Sequence, residues 1–125
     1  MELIHKRTSG PRPTSEFDLM DGDRKTGMLQ LRHTRSNPSI GMPESFGNNI
    51  YYEIEPEYQN KGYGKKILAL GLNEARKIGL KVVRLTVFED NIPSQKIIET
   101  NGGVMIDKQL NTAENIPVRL YEITL

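Results

Sequence analysis

Between residues 50 and 88 the chain passes from an alternating strand through a glycine loop into an amphipathic helix and then into a second strand, and few folds accept that succession. Ile50, Tyr52 and Ile54 alternate with Tyr51, Glu53 and Glu55, as a strand with two unlike faces requires, and Pro56 stops it. From Tyr63 onward Ile67, Leu68, Leu70, Leu72, Ala75 and Ile78 recur at helical spacing, and Gly79 supplies a C-terminal stop. Residues 82–88 are dense in β-branched side chains and read as strand. A strand, a helix and a strand in this order make a β-α-β crossover. The expected class is therefore α/β, with a central mixed sheet. In open sheets of this kind ligands bind beyond the C-terminal ends of the strands, where Gln59-Asn60-Lys61-Gly62-Tyr63-Gly64 lies.

The flanking sequence completes the expected layout. Residues 1–7 predict a short first strand, and residues 8–15, with Pro11 and Pro13, predict a loop. Residues 16–21 and 28–35 predict a hairpin around a loop at 22–27, and residues 36–49, rich in Pro, Gly and Asn, predict a longer loop. A short helix opens after Asp90 or Asn91 as cap, with Pro93 in its first turn, and stops at Asn101-Gly102-Gly103. Residues 103–109 and 118–124 predict closing strands.

With 125 residues the chain fits one domain, expected to span 1–125, and one active site. Hydrophobic residues at 36% and charged residues at 26% describe a globular protein. No run approaches the ~20 apolar residues of a membrane helix, and the first residues lack an apolar run of signal-peptide length, so no membrane partner and no export are expected. The absence of cysteine removes disulfides and thiolate ligands and fits a cytoplasmic protein. A formal charge of +1 argues against nucleic acid as the partner. His5 and His33 lack metal-ligand spacing, and no metal is expected.

The loop before the first helix carries the strongest chemical signal. Its glycines let the backbone come close to a ligand, and the first N–H groups of the helix converge on an anion. Lys61, Lys65 and Lys66 put positive charge at the positive end of the helix dipole, a conflict that an anionic ligand would relieve. A Walker A loop is excluded, because Gln59 stands where Gly is required and Lys66 stands where Ser or Thr should hold magnesium. A dinucleotide fingerprint fails at Ile67, where its third glycine is due.

Residues 52–64 resemble the acetyl-CoA-binding motif of the GNAT superfamily of N-acetyltransferases, whose core is Gln/Arg-x-x-Gly-x-Gly/Ala after a strand that ends near proline. Residues 90–103 resemble the later Asn-x-x-Ala/Ser helix of that family. The resemblance implies a GNAT-like mixed sheet whose fourth and fifth strands splay apart around the cofactor. It implies that Gln59, Asn60, Lys61, Gly62, Tyr63 and Gly64 surround the pyrophosphate, with Lys65 at the helix entrance. Tyr52, Glu53 and Ile54 would form the strand edge along the pantetheine arm, and Asn91 and Ser94 would lie on its other side.

The function expected is transfer of an acetyl group from acetyl-CoA to a primary amine of a small molecule or of a peptide or protein N-terminus. The tyrosine that many relatives place seven residues after the motif Asn is Ile98 here, and the glutamate some place on the preceding strand is Thr86. Glu53 and Tyr121 remain as catalytic candidates, with a water-mediated path as the fallback. A CoA-binding module without turnover is the alternative function. The resemblance also implies two helices between the first strands, for which residues 8–15 leave no room. The wall of the acceptor pocket is then expected from residues 36–49 or from a second subunit in a homodimer.

Overall fold

The computed structural model describes residues 1–125. Four antiparallel strands form the first sheet in the order β1 (Glu2–Ser9), β2 (Thr14–Asp21), β3 (Arg24–Arg32) and β4 (Ile50–Ile54). Helix α1 (Tyr63–Lys77) leads to β5 (Val82–Phe88), and helix α2 (Ile92–Thr100) leads to β6 (Val104–Asn111) and β7 (Ile116–Thr124). The second sheet runs β5-β7-β6. The α/β architecture expected from the sequence is present, with two antiparallel sheets in place of one central mixed sheet.

Both helices feed one core of 15 buried side chains. Ile67, Leu68, Leu72 and Ala75 from α1 and Ile98 from α2 meet Phe17, Leu19, Leu29 and Leu31 of the first sheet and Val83, Leu85, Tyr121 and Ile123 of the second. These strand residues alternate along their strands, so each sheet gives one face to the helices. On the opposite face of the second sheet, Phe46 is buried against Val118 and Leu120, with Met42 beside it. The 36–49 segment thus covers a face that no helix covers. Asn111 fastens it by donating to the Ile40 carbonyl at 3.2 Å.

Two expected loops are shorter than the sequence implies. Thr8 and Ser9 pair with Ser15 and Thr14, so residues 8–15 close a β1–β2 hairpin and only residues 10–13 turn. Pro11 and Pro13 sit in that turn, where no N–H donor is asked of them, and the Pro13 carbonyl accepts from the His33 N–H at 3.0 Å. Asp21 pairs with Arg24, so the 22–27 loop is a tight turn at Gly22-Asp23 and β3 begins four residues early. Thr26, fully buried, donates to the Leu19 carbonyl at 3.3 Å, and that tertiary contact extends the strand through polar sequence. At its other end β3 stops at Arg32 rather than at residue 35.

No ladder joins β4 to β5; two asparagines do, Asn49 through paired bonds to Arg84 and Asn48 by donating from Nδ2 to the Thr86 hydroxyl at 3.4 Å. Asn49 is buried, its N–H donates to the Arg84 carbonyl at 2.8 Å, and its Oδ1 accepts from the Arg84 N–H at 2.9 Å. Its Nδ2 donates to the Arg32 carbonyl at 3.2 Å, and its own carbonyl accepts from the Arg32 N–H at 2.7 Å. The two sheets are therefore clasped where β4 begins, and β4 and β5 are free to diverge toward their C-terminal ends. Asn49→Ala would leave the partly buried Arg84 N–H without an acceptor and the Arg32 carbonyl without the side-chain donor, and a loss of about 2 kcal/mol is expected. Urea denaturation checks it: the midpoint falls while the slope stays unchanged.

Candidate functional site

The divergence of β4 and β5 opens a groove of about 830 Å³. One wall is the end of β4 and the turn after it, from Tyr52 to Pro56 with Gln59 and Asn60. The other is α2, through Asn91, Pro93, Ser94, Lys96 and Ile97. The N-terminus of α1, with Gly62, Gly64 and Lys65, closes one end.

The strand wall offers backbone donors. The Glu55 N–H bonds the Thr26 carbonyl on the β3 side at 2.9 Å. Because successive N–H groups of a strand point to opposite edges, those of Ile54 and Tyr52 face the groove. Gln59 steadies the strand end by donating from Nε2 to the Ile54 carbonyl at 3.0 Å.

The two helix N-termini at the groove differ. Helix α2 is capped: Asn91 Oδ1 accepts from the Ser94 N–H at 3.3 Å. Helix α1 begins after Gly62, which has no side chain to cap it, and its first internal bond runs from the Lys66 N–H to the Gly62 carbonyl at 3.3 Å. The N–H groups of Tyr63, Gly64 and Lys65 have no partner inside the helix, and no acidic side chain stands in the first turn. An anion in the groove would satisfy those donors and the dipole together.

The two glycines of the loop do different things. Gly62 has φ +88°, a conformation that L side chains rarely adopt, and nothing lies within 4 Å of where its Cβ would be. Gly64 packs against α2: a Cβ there would come within 2.7 Å of Ile97 Cδ1, and that methyl would have to shift.

Of the residues singled out in the sequence, Tyr52, Glu53, Ile54, Gln59, Asn60, Gly62, Gly64, Lys65, Asn91 and Ser94 line the groove. Lys61 is exposed beside it without lining it. Tyr63 turns its ring away, donating to Asp21 at 2.9 Å and standing edge-on to Tyr58 at 5.4 Å, so its backbone alone is on the groove side. Tyr121 lies elsewhere. It is buried on β7, donates to Glu99 at 2.6 Å and accepts from Arg119 at 2.9 Å, while Arg119 also grips Glu89 through two bonds of 2.8 Å. Burial, followed by the bond to Glu99, pushes the Tyr121 phenol up from its ordinary value.

Met28, Lys96 and Ile97 also line the groove and were missed from the sequence. Ile97 follows Ser94 by three residues on α2, a spacing that could have signalled it. Met28 arrives as the cross-strand partner of Glu53, which only the hairpin register reveals. No three His, Asp or Glu side chains converge as metal ligands would.

Glu53 is exposed at the groove on the helix-free face of β4, and the Tyr51 hydroxyl donates to its Oε1. That bond, then burial and the carboxylate charge, push the Tyr51 phenol from 10.0 up to about 12.

Residues 5–102 fit the profile of the acetyltransferase (GNAT) family. The chain belongs to the GNAT family. It is 33% identical over 91 residues to a mycothiol acetyltransferase of Geodermatophilus obscurus, covering 72% of this chain and 29% of that one. It is 30% identical over 82 residues to a mycothiol acetyltransferase of Kocuria rhizophila, covering 66% of this chain and 26% of that one. This GNAT chain thus spans less than a third of the length of these relatives. Among solved structures it resembles a spermidine N-acetyltransferase mutant from Vibrio cholerae, with TM-score 0.67, 18% identity and coverage of 89% of this chain and 65% of that one. A Bacillus subtilis acetyltransferase solved in complex with CoA matches with TM-score 0.67 and 13% identity, covering 90% and 77%. At such identities the likeness speaks to the GNAT fold.

The Tyr51–Glu53 bond can be read directly. A phenol whose pKa is raised on folding keeps its full contribution below about pH 10 and loses it as pH climbs toward 12. Titrating tyrosinate absorbance should therefore reveal a transition near pH 12 that is missing from Tyr51→Phe.

Proposed function

We propose that this chain binds acetyl-CoA in the groove between β4 and α2 and transfers the acetyl group to a primary amine of a small molecule or of a peptide or protein N-terminus. The observation that carries the reading is the uncapped α1 N-terminus at one end of an elongated groove, with Lys65 beside it. A pyrophosphate matches those free N–H donors, and the slot between strand and helix suits the narrow pantetheine arm that follows, whose amides can meet the strand edge. The structures of CoA-bound relatives of the same fold support the same donor.

In this reading Gln59, Asn60, Lys61, Gly62, Tyr63, Gly64 and Lys65 hold the pyrophosphate, chiefly through backbone. Tyr52, Glu53 and Ile54 supply the strand edge, where the inward N–H groups can polarise the thioester carbonyl. Asn91 and Ser94 bound the arm from α2. Glu53 is the base that takes a proton from the attacking amine, held in place by Tyr51. The 36–49 segment stands on the helix-free face, where the acceptor would approach, and a second subunit could complete that wall. Residues 1–125 would act as one acyltransferase unit. No helix is long and apolar enough to cross a membrane.

Calorimetric titration of acetyl-CoA, followed by thiol release with a panel of amines and peptides, tests the reading. Absence of binding would reject it, and tight binding without turnover would favour a CoA-binding module. Gly62→Val should weaken acetyl-CoA at least about tenfold, or ~1.4 kcal/mol, by straining the left-handed turn. Glu53→Gln should bind acetyl-CoA normally and lose about 100-fold in kcat; an unchanged kcat would remove Glu53 from the mechanism.

A further inference from the structure

The chain has five tyrosines, and four are accounted for outside the groove's interior. Tyr51 donates to Glu53 on the helix-free face, Tyr63 donates to Asp21, and Tyr121 is tied between Glu99 and Arg119. Tyr58 stacks edge-on against Tyr63. Tyr52 differs from all of them. It lines the groove, and its hydroxyl is the one buried side-chain polar atom in the protein with no hydrogen-bond partner.

A buried hydroxyl without a partner is costly, and cores of this size rarely retain one where a phenylalanine would pack as well. The side chain that faces it is Ser94 of α2, which also lines the groove. No hydrogen bond joins the two in this structure. Catalytic hydrogen bonds are often loose until the ligand is bound. Burial pushes the Tyr52 phenol up, so it holds its proton at neutral pH. The remaining proton carriers along the groove, Lys65 and Lys96, are exposed. On α2, the buried position 98 is an isoleucine and can donate nothing.

We infer that Tyr52, acting with the Ser94 hydroxyl, supplies the proton taken up by the departing CoA thiolate. The inference rests on the acetyl-transfer reading above. As the amine nitrogen bonds to the acetyl carbon, the carbon–sulfur bond breaks and its electron pair goes to sulfur. Sulfur takes the Ser94 proton, and Ser94 takes that of Tyr52. The amine's surplus proton leaves through Glu53 to solvent, and the tyrosinate is reprotonated from solvent. The products are the amide and the free thiol, with no other reactant consumed.

The test measures thiol release from acetyl-CoA with hydroxylamine as a small probe acceptor, corrected for the uncatalysed rate, together with acetyl-CoA affinity by calorimetry. Tyr52→Phe keeps the ring and removes the hydroxyl. It is expected to hold acetyl-CoA affinity within twofold while kcat falls on the order of 100-fold. Ser94→Ala should lower kcat as well, and the double variant should be no slower than Tyr52→Phe, because the two hydroxyls serve one proton path. A fluorinated tyrosine at position 52 should restore turnover. Tyr52→Phe with kcat within twofold of the parent would overturn the inference, as would additive losses in the double variant. Parent protein that binds acetyl-CoA but adds nothing to the uncatalysed rate would also overturn it, whereas parent protein that fails to bind would sink the acetyl-CoA reading itself. Should Tyr52→Phe misfold, seen as lost binding, Ser94→Ala with parental kcat would overturn the inference alone.

Discussion

The groove exists because two sheets that share a core are joined without a ladder, through Asn49 and its neighbour Asn48 just before β4. Asn49 takes the place of a β4–β5 ladder, using its backbone and side chain to satisfy Arg84 on one side and Arg32 on the other. A full ladder would have held the strands parallel and closed to their ends. With the bonds confined to the start of β4, the ordinary twist of each sheet carries the strand ends apart. The helices then span the opening. Asparagine suits the position because its amide donates and accepts at once, matching one C=O and one N–H that a strand would otherwise have met.

That geometry also decides which backbone groups are left unpaired. The edge of β4 that would have faced a neighbour keeps the N–H groups of Tyr52 and Ile54 turned into the gap. Helix α1 starts at the same end without a cap, whereas α2 is capped by Asn91. The result is a line of donors running from a helix dipole to a strand edge, which is the electrostatic profile of a site for a ligand with an anionic head and a polarisable carbonyl at its tail.

Two hydroxyl pairs flank the strand on opposite faces. Tyr51 is bound to Glu53 on the helix-free face, and Tyr52 faces Ser94 on the helix side. Neighbouring residues of one strand point in opposite directions, so consecutive tyrosines reach different surroundings. One is exposed and paired with a carboxylate; the other is shut in and unpaired. The separation keeps the exposed carboxylate and the enclosed phenol on opposite faces of the strand.

Much of this was legible in the sequence. The alternation of Ile50, Tyr52 and Ile54, the helical spacing after Tyr63, and the glycine loop between them determined the succession of strand, helix and strand, because these depend on local period and local backbone freedom. Local signals failed where polar sequence is held by distant contacts. Thr26 is strand because it bonds Leu19, and residues 8 and 9 are strand because residues 14 and 15 pair with them. For the same reason the clasp at Asn49, the turning away of Tyr63 and the removal of Tyr121 into a network with Arg119 could not be read from residue type. Which hydroxyl finds a partner depends on side chains far apart in the chain, so the glycine loop between strand and helix belongs to the sequence, and the groups that stand beside it belong to the tertiary structure.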